Sequence, residues 1–288
     1  MAPLFAHLTA EQARIYALVL ASAGIRHTLH RHQKNWAVHV PTEARGLAVA
    51  AIAAYRRENP DRTIPSAPPA TLVRTHSAIY AALILIAIHA VVAAAPAPAS
   101  FVAAYGADAG QIVNGQIYRC LTALLLHADG AHLAANVAAT LLFGTYAAAL
   151  YGWGVGWLLI LCCGTGGNLL TAFWYGQGHR AIGASTAVFA AVGLCAAQAL
   201  WRRKHRAPDS WRSYVPLAGG LALVGWLGTA PQSDVLAHLL GFACGLAGGG
   251  CYARMVKRIH SWPVQAGALG IVALGIVGGW YWGLAYSG

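Results

Sequence analysis

The sequence predicts an all-α polytopic membrane protein, preceded by a small soluble α+β domain. Three observations predict it. Of 288 residues, 58% are hydrophobic and only 9% charged, against about 25% charged in an ordinary soluble domain. The apolar residues gather into long runs after residue 76, and runs approaching ~20 residues are membrane-span candidates. Residues 1–60 have a different texture, with short amphipathic stretches in place of long apolar runs.

In the first 60 residues, 9–24 fit an amphipathic helix with Thr9 as N-cap and Gly24 as its stop. Residues 25–32 and 35–40 fit two strands joined by a tight turn at Gln33 and Lys34. Residues 42–59 fit a second helix, capped by Thr42 and ended before Pro60. The order helix, strand, strand, helix suggests two helices on one face of a small sheet. Residues 61–76 are a proline-rich linker. The first ten residues have neither a basic start nor an apolar core, so no cleaved leader is expected.

Seven apolar spans follow, near 77–95, 132–151, 154–174, 185–201, 215–229, 235–255 and 264–286. The irregular stretch 96–130 reads as a loop lying in or on the outer leaflet. The formal net charge of +11 reads first as an orientation signal. Arg56, Arg57, Arg62 and Arg74 precede span one, Arg202, Arg203, Lys204, Arg206 and Arg212 join spans four and five, and Arg254, Lys257 and Arg258 join spans six and seven. If every span crosses, these groups share one side, which the positive-inside rule makes the cytoplasm. The N-terminus is then cytoplasmic and the C-terminus outside, in the cytoplasmic (inner) membrane. No basic stripe with interleaved aromatics is present, so nucleic acid is not an expected partner. The six cysteines show neither metal-ligand spacing nor a disulfide framework.

This topology puts Ser185 at the outer end of span four and His238 just inside the outer end of span six. His132 and Asn136 lie in the outer half of span two. Buried polar groups in a bilayer are costly unless they face a protein interior or a water-filled cavity. A serine that meets a histidine is a nucleophile with its base. His132 and Asn136, four apart on one helix face, suit the donors that hold an oxyanion, as does the backbone N–H of Ser185. Phe189, one turn beyond Ser185, can stack on the imidazole of His238. Gly241, Gly245 and Gly249 form a ridge that lets span six approach a neighbour closely.

Each of these residues also has a plainer reading. A lone serine in a membrane helix commonly bonds a backbone carbonyl, and a glycine ridge is ordinary helix packing. Asp234, one turn before His238, offers a third triad member, but beside Ser233 and after Pro231 it reads as an N-cap. A serine–histidine dyad is therefore the preferred reading. His127, His132 and His238 offer a metal site, yet no carboxylate or cysteine stands at ligand spacing with them. No metal and no organic cofactor is expected. His89, in the middle of span one, has no assigned role.

Taken together, the motifs resemble the rhomboid intramembrane serine proteases, over about residues 75–255. His127, His132 and Asn136 match the second-span pattern. Gly183, Ser185 and Phe189 match the nucleophile motif, and Ala237, His238, Gly241 and Gly245 match the sixth-span motif. Tyr118 and Arg119 resemble the Trp-Arg pair of the first outer loop. The resemblance implies a nucleophilic Ser185 with His238 as general base. It also implies His132 and Asn136 at the oxyanion hole and His127 as a supporting residue of the same cavity. It implies a six-helix rhomboid core at 77–255, a seventh C-terminal helix at 256–288, and a small cytoplasmic domain at 1–60, as in similar bacterial members. Single-span membrane proteins in the lipid bilayer would be the substrates, cut near the outer face. The sequence leaves the oligomeric state undefined. Two positions depart from the family pattern: Thr186 stands where a glycine usually follows the nucleophile, and Tyr118 where tryptophan is usual. The alternatives are a catalytically silent relative that binds membrane clients, and a small transporter or proton channel built on the buried histidines. The second lacks a visible inverted repeat.

Overall fold

The computed structural model describes residues 2–32, 35–59, 75–204, 218–219, 234–255 and 261–287. Span five and the proline-rich linker lie outside the described residues, apart from 75–76 and 218–219. The chain divides into two compact units, residues 1–64 and 65–288.

The first unit contains β1 (Ala2–Leu8), α1 (Ala10–Ser22), β2 (Thr28–His32), β3 (Asn35–Val40), a 3₁₀ turn (Thr42–Ala44) and α2 (Arg45–Glu58). The strands form an antiparallel sheet in the order β1-β3-β2. Leu8, Val38 and Val40 of the sheet pack with Ala13, Tyr16 and Leu20 of α1 and Ala48 and Ile52 of α2. Thr9 starts α1 with a capping box, its hydroxyl accepting from the Gln12 N–H while the Gln12 amide accepts from the Thr9 N–H.

Two sequence expectations are corrected here. The unit begins with a strand, β1, which the expected order of helix, strand, strand, helix omitted. Its register against β3 shifts twice, between Pro3 and Phe5 and between Phe5 and Leu8, which blurs the alternation that marks a strand. The second helix starts at Arg45, and Thr42 lies in the 3₁₀ turn with no side-chain cap on α2.

The second unit begins with α3 (Ser77–Ala93), the observed form of span one. The expected loop then carries α4 (Pro98–Tyr105), β4 (Ala107–Asp108), α5 (Ala109–Val113), α6 (Arg119–Thr122) and a 3₁₀ turn (Ala123–Leu125). Span two is one apolar helical rod of 22 residues, Gly130–Tyr151. It comprises α7 (Gly130–Ala139), a π segment (Thr140–Gly144) and α8 (Thr145–Tyr151). Then come α9 (Val155–Tyr175), β5 (Arg180–Ala181), α10 (Ser185–Lys204), α11 (Val235–Met255) and α12 (Trp262–Ser287). Among the described residues, four helices are long and apolar enough to cross a membrane: Gly130–Tyr151, Val155–Tyr175, Val235–Ala253 and Trp262–Tyr286. Helix α3 and the apolar part of α10, Ser185–Trp201, are shorter.

Helix α10 is the centre of the unit. Nearly every residue from Thr186 to Ala197 is buried, which an apolar helix tolerates on all sides only when neighbours surround it. Glycines make the close approach possible. A β-carbon on Gly164 or Gly167 of α9 would stand 2.8 Å from Ala187 Cα or Thr186 Cγ2. On α11, a β-carbon on Gly241 or Gly245 would stand 2.4 or 2.1 Å from the carbonyl oxygens of Thr186 or Ala190. The α11 ridge therefore packs on α10, and α9 brings a second run of glycines to the same junction, where a β-carbon on Gly167 would also stand 2.8 Å from Gly241 Cα.

The loop before α7 is fixed by polar contacts. Buried Arg119 donates through Nη1 to the Ala103 and Gly106 carbonyls, at 2.7 and 3.0 Å, and through Nε to Gln116 Oε1. Tyr118 donates to the Ala104 carbonyl, and Thr122 to the Tyr105 carbonyl. Helix α12 closes over this loop with Trp280, whose ring lies 4.5 Å from Tyr105 and 5.3 Å from Phe101. At its opposite end, Gln265 Oε1 accepts from the Gly154 and Val155 N–H groups, capping the start of α9.

Candidate active site

Ser185 is the first residue of α10, and His238 lies one turn into α11. Their helices pack through the glycine ridge, and this brings Ser185 Oγ to 2.9 Å from His238 Nε2. The distance is that of a hydrogen bond. Ser185 is half-buried and His238 is buried. The Phe189 ring lies 4.5 Å from the imidazole at 31°, which restricts the rotation of His238.

The other predicted residues converge from the second span. Asp129 caps α7, accepting from the His132 N–H at 2.7 Å. This N–H, with that of Ala131, holds the exposed Asp129 carboxyl below the usual carboxylate range. The cap fixes the start of the helix that carries His132 and Asn136. Gly183 lies against this pair. A β-carbon there would stand 2.7 and 2.8 Å from His132 Cε1 and Nε2, and 3.8 Å from Asn136 Nδ2. Its φ of +133° is a second reason for glycine. Asn136 is buried, and its Nδ2 donates to the His132 carbonyl at 3.0 Å.

His127 sits beneath this group, its ring 5.2 Å from that of His132. The Ala184 N–H donates to His127 Nε2 over a long 3.5 Å. Burial first, then the neighbouring His132 and His89, push its pKa down to about 4. His127 therefore touches Ala184, the residue before Ser185.

Asp234 takes the capping role. Its Oδ1 accepts from the Ala237 N–H at 3.0 Å, and its Oδ2 lies 2.7 Å from His179 Nε2. Ser233 lies outside the described residues. Among the described residues, no three of His, Cys, Asp and Glu converge as a metal site would require.

Thr186, the departure from the family motif, is buried in a notch between Gly167 of α9 and Gly241 of α11. Tyr118 keeps the inner side of the first loop, with the Arg119 guanidinium 5.5 Å from its ring. Sequence reasoning missed three contributors: Gly167, His179 and Gln265. The glycine run at 164–167 inside an apolar span was the visible signal for the first. The other two depend on partners 55 and about 110 residues away, which no local pattern reveals.

Part of the chain is similar to known proteins. Residues 114–255 match the Rhomboid domain family model. The chain is 30% identical over 145 residues to Rhomboid-type serine protease 2 of Emericella nidulans, covering 50% of this chain and 29% of that protein. It is 28% identical over 165 residues to Rhomboid-like protease 1 of Toxoplasma gondii, covering 56% of each. Rhomboid-like protease 2 of the same organism is 29% identical over 160 residues, covering 54% of each. The chain thus spans between 29% and 56% of the length of these relatives. With its apolar helices and a Rhomboid domain at residues 114–255, the chain is a multi-pass membrane protein.

Proposed function

We propose that this protein is an intramembrane serine endopeptidase acting through a Ser185–His238 dyad. The observation that carries the reading is the 2.9 Å contact between Ser185 Oγ and His238 Nε2. In this reading His238 Nε2 accepts the hydroxyl proton as Oγ attacks the scissile carbonyl carbon. The resulting oxyanion is held by His132, Asn136 and the N–H of Ser185, which as a first-turn group lacks an intrahelical partner. Collapse breaks the C–N bond, and the leaving nitrogen takes the proton from His238. Water, deprotonated by the same imidazole, then hydrolyses the acyl-serine and restores the hydroxyl.

Substrates of this enzyme are single-span membrane proteins, cut near the outer face of the cytoplasmic membrane. The charge distribution supports this orientation, with the basic connections on the side opposite Ser185. Exposed Phe173, Trp174 and Tyr175 end α9, and exposed Tyr281, Trp282 and Tyr286 end α12, as aromatic belts do at a membrane interface. A peptide bond within a stable helix is shielded, so small or helix-breaking residues should mark the cut.

The test is cleavage of a reporter transmembrane substrate in liposomes. Ser185→Ala and His238→Ala should each lower the rate by at least about a thousandfold, and the double variant should be no worse than either. Retained cleavage by folded Ser185→Ala protein would overturn the proposal.

A further inference from the structure

His179 and Asp234 tie together the two backbone segments that deliver the serine and the histidine. His179 lies between α9 and α10, in the stretch that ends at Ser185. Asp234 is the residue immediately before α11, one turn ahead of His238. Their side chains meet at 2.7 Å, from His179 Nε2 to Asp234 Oδ2, and are only 22% and 17% exposed.

Both partners are held on their other sides. The Tyr175 ring stacks on His179 at 4.2 Å and 14°. The His179 carbonyl accepts from the Ala109 N–H at 2.9 Å, and β5 pairs with β4 through Ala107–Ala181 and Asp108–Arg180. Asp234 uses its second oxygen on the Ala237 N–H, and its carbonyl accepts from the His238 N–H at 3.0 Å. One carboxylate therefore caps the helix of His238 and grips the segment leading to Ser185. The charged groups flanking the pair are Asp108 and Arg180, bound to each other at 2.8 Å.

We propose that His179 and Asp234 are a positioning pair that sets the register of Ser185 against His238. The inference rests on the dyad reading and deepens it. Neither residue touches the reacting atoms. The pair acts by holding α10 and α11 at the separation that gives the 2.9 Å contact, and misplacements of about 1 Å cost up to roughly a hundredfold in rate.

The test is a double-mutant cycle on the full chain, with steady-state cleavage and fluorophosphonate labelling of Ser185 measured in parallel. Asp234→Ser keeps an oxygen for the helix cap but cannot reach His179. His179→Ala touches no helix cap, so it carries the test even where position 234 tolerates no change. Each should lower kcat by roughly ten- to a hundredfold with KM unchanged. The double variant should match the single ones, because both remove the same contact. His179→Gln, which places an amide N–H near the position of Nε2, should recover most of kcat. Unchanged kcat in folded His179→Ala protein, losses that multiply in the double variant, or effects confined to KM would overturn the pair. If wild-type Ser185 neither labels nor cleaves, the dyad and the pair fall together. If it does both and the cycle is additive, the pair alone falls.

Discussion

Thr186 rests on Gly241. A β-carbon at position 241 would stand 2.4 Å from the Thr186 carbonyl oxygen and 2.9 Å from its Cγ2. The obstacle on the first side is backbone, which cannot swing aside as a side chain can. Gly241→Ala should therefore push α11 off α10, cost about 1–3 kcal/mol as overpacking does, and lower cleavage by lengthening the Ser185–His238 contact. Thermal unfolding in detergent, paired with the cleavage assay, checks both effects.

The same notch accounts for the threonine beside the nucleophile. Gly167 and Gly241 together leave room for its Cγ2, so the β-branched residue is packed without displacing Ser185. Thr186→Gly should empty the notch and destabilise the protein by about 1–3 kcal/mol, through lost packing and greater backbone freedom. Fluorophosphonate labelling of Ser185 should survive. Loss of labelling with an unchanged unfolding temperature would mean that the threonine contributes to the chemistry.

Gln265 anchors α12 to the rest of the unit. It is 2% exposed, and its Oε1 accepts from both Gly154 and Val155. The turn is shaped to admit it: Gly152 has φ of +97°, and a β-carbon there would overlap the Gln265 amide. Gln265→Ala leaves buried N–H groups without their acceptor and should cost about 1–3 kcal/mol. Hydrogen exchange at the start of α9 should quicken in the same variant, while exchange in the first unit should not change.

Much of this was legible in the sequence, for physical reasons that differ by element. The apolar helices were visible because a bilayer demands long apolar runs, and α9 and α11 lie within a residue or so of their expected bounds. The meeting of Ser185 and His238 was legible at the level of depth and motif. The glycine ridge then supplied the close approach that distance requires. The π segment Thr140–Gly144 was not legible, because one wide turn leaves an apolar pattern almost unchanged. Its Gly144 lies under Trp157, whose Cη2 would be 2.7 Å from a β-carbon there. Strand β1 escaped because Pro3 and two register shifts break its alternation. The His179–Asp234 contact and the Gln265 cap escaped because each joins segments far apart in the chain.

In the proposed function, Ser185 is a nucleophile activated by His238. The most direct test is mass-spectrometric mapping of the fluorophosphonate adduct on the full chain in liposomes. One adduct is expected, on the peptide containing Ser185, lost in Ser185→Ala and in folded His238→Ala protein. An unlabelled wild-type protein, or Ser185 labelling that persists undiminished without His238, would contradict the proposal.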